Sequence, residues 1–183
     1  RNFDPKLSPA NTCEPVSIPG VFLGPYLFDI DISEHEITLH NQFYDIVRKM
    51  PRDGKAATAD PAGIFGTIRG RLDGDTLIVE SRNYPPSKWG LAAATTVLGG
   101  GSDVPSSEQK SVTERYTVSE NGRTLTIDYT IRDPVYLSTP YAGHVELAMI
   151  TDDTPMYEYE CDLESAAQFS REPDEELLRV GEE

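Results

Sequence analysis

Residues 64–82 read IFGTIRGRLDGDTLIVESR, two apolar, β-branched runs that meet at Asp73-Gly74. Asp-Gly between such runs predicts a hairpin, because a type I′ turn needs positive φ at both central residues, which Asp tolerates and Gly accepts freely. With those two residues in the turn, Leu72 faces Asp75, Gly70 faces Leu77, Ile68 faces Val79 and Gly66 faces Ser81. The pattern repeats as KSVTERYTVSE, Asn121-Gly122 and RTLTIDYTIRD. That predicts strands over about 110–119 and 123–132, with Glu114 across from Tyr129 and Tyr116 across from Ile127.

Upstream, Tyr26, Phe28, Ile30 and Ile32 alternate with Leu27, Asp29 and Asp31. After a turn near Ser33-Glu34, Ile37, Leu39, Phe43 and Val47 share an odd-numbered face. Residues 36–49 are long for one strand, so a bend or bulge is predicted around Asn41-Gln42. HVELAMI and, after a turn at Asp152-Asp153, MYEYEC read as the last two strands. Eight or nine antiparallel strands in meander order predict an all-β fold, an up-and-down, lipocalin-like barrel rather than a sandwich. Such a barrel is filled by side chains or holds one small ligand.

The remaining stretches set the organisation. Residues 1–25, with Pro5, Pro9, Pro15, Pro19 and Pro25, lack any periodic pattern and read as an extended arm before a barrel over 26–161. Within the long apolar and Gly-rich loop over 83–109, residues 89–98 have no evident sheet partner. They read as a short helix or loop closing one barrel end, with a ligand lid or a partner contact as the sharper readings. Residues 162–183 form an acidic, partly helical tail, with helix starts near Asp162 and at Pro173.

Composition narrows the function. The chain has 183 residues, 38% of them hydrophobic, enough for one domain with a proper core. No apolar run approaches the roughly 20 residues of a membrane-spanning helix. A formal charge of −15 and a pI near 4.5 argue against nucleic acid and anionic membrane surfaces as partners. A chain that opens on Arg1 rather than Met fits a mature form after removal of a signal peptide, or one cut for other reasons. Cys13 and Cys161 read as two buried thiols or, in an exported chain, as a disulfide tying the arm to the last strand.

As a set, several motifs resemble those of a group of exported, β-rich bacterial proteins. They are C-x-P at Cys13, GPYLFDI, R-x4-DGK, GRLDGDTLIVES with a Trp shortly after, SVTERY, LTIDYTIRDP and YEYEC. The resemblance spans about residues 13–161 and implies a barrel and a periplasmic or secreted address, with no activity attached. The chain departs from the group's pattern over 91–105 and in its tail.

Candidate chemistry is sparse. Val112, Glu114, Tyr116 and Val118 share a strand face with Leu125, Ile127, Tyr129 and Ile131 of the partner strand. Glu114 is thus a carboxylate among apolar and aromatic neighbours, to be satisfied there by a tyrosine hydroxyl or an arginine. The alternative is a general acid or base, with Tyr116 and Tyr129, in a cofactor-free isomerase, cyclase or lyase. Arg69 and Arg71 lie opposite the Ile68 face, in solvent or over a neighbouring loop, and Asp133 before Pro134 caps a turn. His35, His40 and His144 lack zinc-motif spacing, and no metal site or cofactor is predicted. Tyr44, Tyr84, Tyr116, Tyr129, Tyr141 and Trp89 are candidates to line a pocket. Trp89, Leu91, Val97, Leu98 and Tyr84 are the candidate ligand or partner contacts. The leading expectation is a non-catalytic exported protein that binds a hydrophobic small molecule in the barrel, or other envelope proteins as an accessory subunit, with a homo-oligomer allowed. An interior packed with side chains would remove both interior readings and leave partner binding.

Overall fold

The computed structural model describes residues 4–60, 63–94, 99–150 and 154–167. The fold is all-β. A three-stranded sheet joins β1 (Phe28–Ile32), β2 (Glu36–Asn41) and β3 (Ile46–Pro51) in that order. A six-stranded sheet contains β4 (Ala57–Thr58), β5 (Thr67–Asp73), β6 (Thr76–Arg82), β9 (Ser111–Val118), β10 (Thr124–Arg132) and β11 (Tyr141–Ala148), in the order β11-β10-β9-β6-β5-β4. Between them in sequence, β7 (Ser87–Ala92) pairs with β8 (Val104–Ser106). The short helix α1 (Leu163–Ala167) follows, its first amides taken by the Asp162 carboxylate.

No sheet closes into a barrel among the described residues. Lys49 N–H donates to Ala59 O at 3.0 Å, linking the β3 side of one sheet to the β4 side of the other. Apart from β7 and β8, the strands therefore follow one path from β1 to β11, which among the described residues stays open between these two end strands.

The second hairpin has the predicted register, with Glu114 opposite Tyr129 and Tyr116 opposite Ile127. The first is slipped by two residues: Asp73 pairs with Thr76, Gly70 with Val79 and Ile68 with Ser81. Its loop residues are Gly74 and Asp75, and Gly74, with φ of 59°, takes the left-handed place at the first loop position. A second correction concerns residues 36–49. The expected bulge is a tight turn, in which Tyr44 and Asp45 take φ of 58° and 48°, between two separate antiparallel strands. The turn changes parity, so Ile46, Arg48 and Met50 are buried in β3 instead of the odd-numbered face.

Three further expectations change. The arm is not simply extended: it makes 3-10 turns at Pro5–Leu7, Pro9–Thr12 and Gly20–Phe22, and residues 16–22 are buried. Residues 89–92 belong to strand β7, not to a helix or loop, because Trp89 and Leu91, with Ala93 just beyond, find a core to pack into. MYEYEC forms no strand. The second helix start at Pro173 lies outside the described residues.

The arm fills the middle of the fold. Ile18, Val21 and Phe22 are buried with Ile37, Leu39, Val79, Tyr116 and Ile127. The Phe22 ring lies edge-on to Phe28 and Tyr116 and tilted against Tyr129. Asn41 holds the arm in place by donating from Nδ2 to Val21 O at 2.8 Å.

Candidate functional site

Among the buried polar groups of the core, the Arg48–Glu114 pair and Lys110 are saturated by protein atoms. Glu114, brought inward by the alternation of β9, is 0% exposed. Arg48 reaches it from the other sheet as a two-pronged pair, Nη1 to Oε1 at 2.8 Å and Nη2 to Oε2 at 2.9 Å. The Tyr116 hydroxyl donates to Glu114 Oε2 and accepts from Arg48 Nη2. The guanidinium also lies 5.1 Å from the Phe65 ring centroid. Burial pulls the Arg48 pKa down, but the Glu114 carboxylate outweighs it and the net shift is upward. Burial and the same carboxylate push the Tyr116 pKa well up. The arrangement keeps one ion pair charged in a dry place and leaves neither carboxylate oxygen unpaired.

The second group is Lys110, whose ammonium donates to Ser17 Oγ at 2.9 Å and to Ile18 O and Gly90 O at 2.6 Å each. It sits 4.6 Å over the Tyr84 ring. Burial brings its pKa down to about 7, against the pull of Asp133 and Glu114. Three acceptors for three N–H groups tie the buried arm to β7. Asp133 accepts from Ser107 N–H, Ser107 Oγ–H and Val135 N–H, the turn-capping arrangement.

The open space lies at the seam. A cleft of about 740 Å³ separates the free edge of β1 from the six-stranded sheet. Tyr26, Leu27, Phe28, Asp29 and Ile30 form one wall. Val118, Leu125, Leu147, Met149 and Ile150 form the other. Thr154 and Met156 lie along it. The chain after them runs on past the seam: Gln42 Nε2 donates to Tyr157 O at 3.2 Å, and the Tyr159 ring sits against Tyr26, Phe43 and Tyr44. That aromatic cluster, chiefly through burial and then through Tyr159, pushes the Tyr44 pKa up to about 12. A disulfide between Cys13 and Cys161 fixes the end of this segment to the arm. Tyr129 lies beneath β11, where a side chain at Gly143 would collide with its ring.

The sequence candidates thus fall in different places. Glu114, Tyr116 and Tyr129 are together, but none of them lines the cleft or the second, apolar cavity of about 130 Å³. Trp89 and Tyr84 are buried in the core, and Leu91 lines the second cavity with Ala92, Val104, Ile131, Leu137 and Tyr141. Val97 and Leu98 lie outside the described residues. Tyr44 belongs to the aromatic cluster beside the cleft. His40 is engaged by Asp45 at 2.6 Å and His144 by Asp128 at 2.8 Å, both near the surface. The hydrogen bond to the Asp128 carboxylate raises the His144 pKa. Among the described residues no group of side chains is placed to hold a metal ion, and no helix is long and apolar enough to cross a membrane.

Sequence reasoning missed Arg48, because the parity change at Tyr44-Asp45 is not written in the apolar pattern. It also missed the cleft walls, although Phe28 and Ile30 share one face of their strand by alternation and Leu125 lies on the apolar face of the second hairpin. Compared with known protein families, curated proteins and solved structures, the chain matches none.

Proposed function

We propose that this is a non-catalytic binding protein, working outside the cytoplasm, that takes an apolar guest in the seam between β1 and β11. The observation that carries the reading is the cleft of about 740 Å³, with walls that leave large apolar side chains in water: Met149 is 58% exposed, Val118 50% and Ile150 49%. Scattered apolar residues on a surface need no explanation, but a contiguous set along one concave seam marks a binding site. The guest is moved from the expected barrel interior, which the arm fills, to the place where the strand path stays open. The disulfide supports an oxidising compartment. The catalytic alternative finds no support in the geometry: both Glu114 oxygens are occupied and Glu114 lines neither cavity.

Calorimetric titration with straight-chain alcohols tests the reading. Saturable binding is expected for 1-decanol, with affinity rising about fourfold per added CH2 from 1-octanol. Met149→Ser, a change at an exposed position, is expected to weaken 1-decanol binding roughly fivefold. No saturable heat with any alcohol, or an unchanged affinity in the variant, would contradict the proposal.

A further inference from the structure

We infer that the guest of this cleft is a cationic amphiphile, a long alkyl chain ending in an amine or a related ammonium group, rather than a fatty acid. The inference rests on the cleft being the binding site and adds the chemistry of the head group. Of the described residues lining the cleft, Asp29 is the only charged one, and no described Lys, Arg or His contributes to the walls. A carboxylate guest would therefore meet no counter-charge, and it would meet a chain of net charge −15 on approach.

The placement of Asp29 fits a head group at the rim. In β1, Phe28 and Ile30 are half-buried while Asp29 between them is exposed, as the twofold alternation of a strand requires. An alkyl chain lying against Phe28, Ile30, Leu125 and Leu147 would run along the edge of β1, whose exposed Asp29 carboxylate also lines the cleft and is open to a head group in water. Among the described residues no hydrogen bond or ion pair engages the Asp29 side chain. The side chain opposite it in register, His40, is engaged by Asp45 at 2.6 Å. Tyr26 and Phe28 stand on the same wall, and aromatic faces beside a carboxylate attract ammonium groups.

The test compares three ligands of one chain length, decylamine, 1-decanol and sodium decanoate, by calorimetry at pH 7 and low salt. The proteins are the native one, Asp29→Asn, and Asp31→Asn as a control. Asp31 is exposed on the same strand but does not line the cleft. Decylamine is expected to bind about three- to tenfold more tightly than 1-decanol, the range for a partly exposed charge pair with an aromatic neighbour. Decanoate is expected to bind most weakly. Asp29→Asn should erase the preference for the amine while leaving 1-decanol affinity unchanged, and Asp31→Asn should keep the preference. Equal binding of amine and alcohol, tightest binding of decanoate, or an equal loss in both variants would overturn the inference, the last by assigning the preference to diffuse acidity. In those cases 1-decanol still binds and the cleft reading stands; failure of all three ligands would remove the cleft reading itself.

Discussion

Arg48 and Glu114 carry the largest single risk in the fold. They join the two sheets through a pair that is 2% and 0% exposed, so removing one partner strands the other charge in a dry interior. Arg48→Met is expected to lower unfolding free energy by about 3–5 kcal/mol, and the double variant Arg48→Met/Glu114→Met by less than that single change. Urea denaturation of the two variants checks the order; a double variant as unstable as Arg48→Met would show that the charge is not the issue. Lys110 makes a second, pH-dependent prediction. Between its folded value of about 7 and its ordinary 10.5, the unfolded chain binds the extra proton. Stability therefore rises with pH from 7 towards 9, at no more than about 1.4 kcal/mol per pH unit. Above pH 10 the buried tyrosines Tyr84, Tyr116 and Tyr129, all shifted upward by burial first, reverse the trend. Urea midpoints measured across this range should flatten between pH 7 and 9 in Lys110→Met. Glu114's inward position was legible, since strand alternation and the Asn121-Gly122 turn define it together. Its partner was not, because Arg48 faces inward only through the left-handed residues Tyr44 and Asp45, and an aromatic residue such as Tyr44 does not announce that conformation.

At the scale of elements, the hairpins were legible as hairpins, and only the second in register. Asp73-Gly74-Asp75 offers two adjacent pairs that suit a two-residue loop. The chain takes Gly74-Asp75, which moves each pairing by two residues and leaves every side chain on its original face. Strand β7 was hidden because its partner β8 is three residues long and lies beyond a glycine-rich loop. MYEYEC has a strand's alternation, yet Gln42, the Tyr26–Phe43–Tyr44 cluster and the disulfide are what hold it. The disulfide spans a sequence separation of 148 residues, so it restricts the unfolded chain strongly. Replacing both cysteines by serine is expected to cost roughly 2–5 kcal/mol. Thermal unfolding of Cys13→Ser/Cys161→Ser should show a clearly lowered Tm, and an unchanged Tm would mean that packing alone holds the arm and the C-terminal segment.

For the whole molecule, the all-β class was legible, while the excursion of β7 and β8 out of meander order and the lack of closure were not. Two-residue periodicity states which side chains face inward, but nothing in it states whether β1 and β11 meet. Residues 16–22 of the arm are buried among the core residues of both sheets, and the cleft of about 740 Å³ lies at the seam. The claim that this opening takes a guest is tested most directly with the three methionines, Met50, Met149 and Met156. Met149 and Met156 line the cleft, while Met50 is 1% exposed in the core. With 13C-labelled methionine methyl groups, titration of 1-decanol should shift the Met149 and Met156 signals saturably and together, leaving Met50 in place. Signals that stay fixed at both cleft methionines, or a shift confined to Met50, would contradict the account.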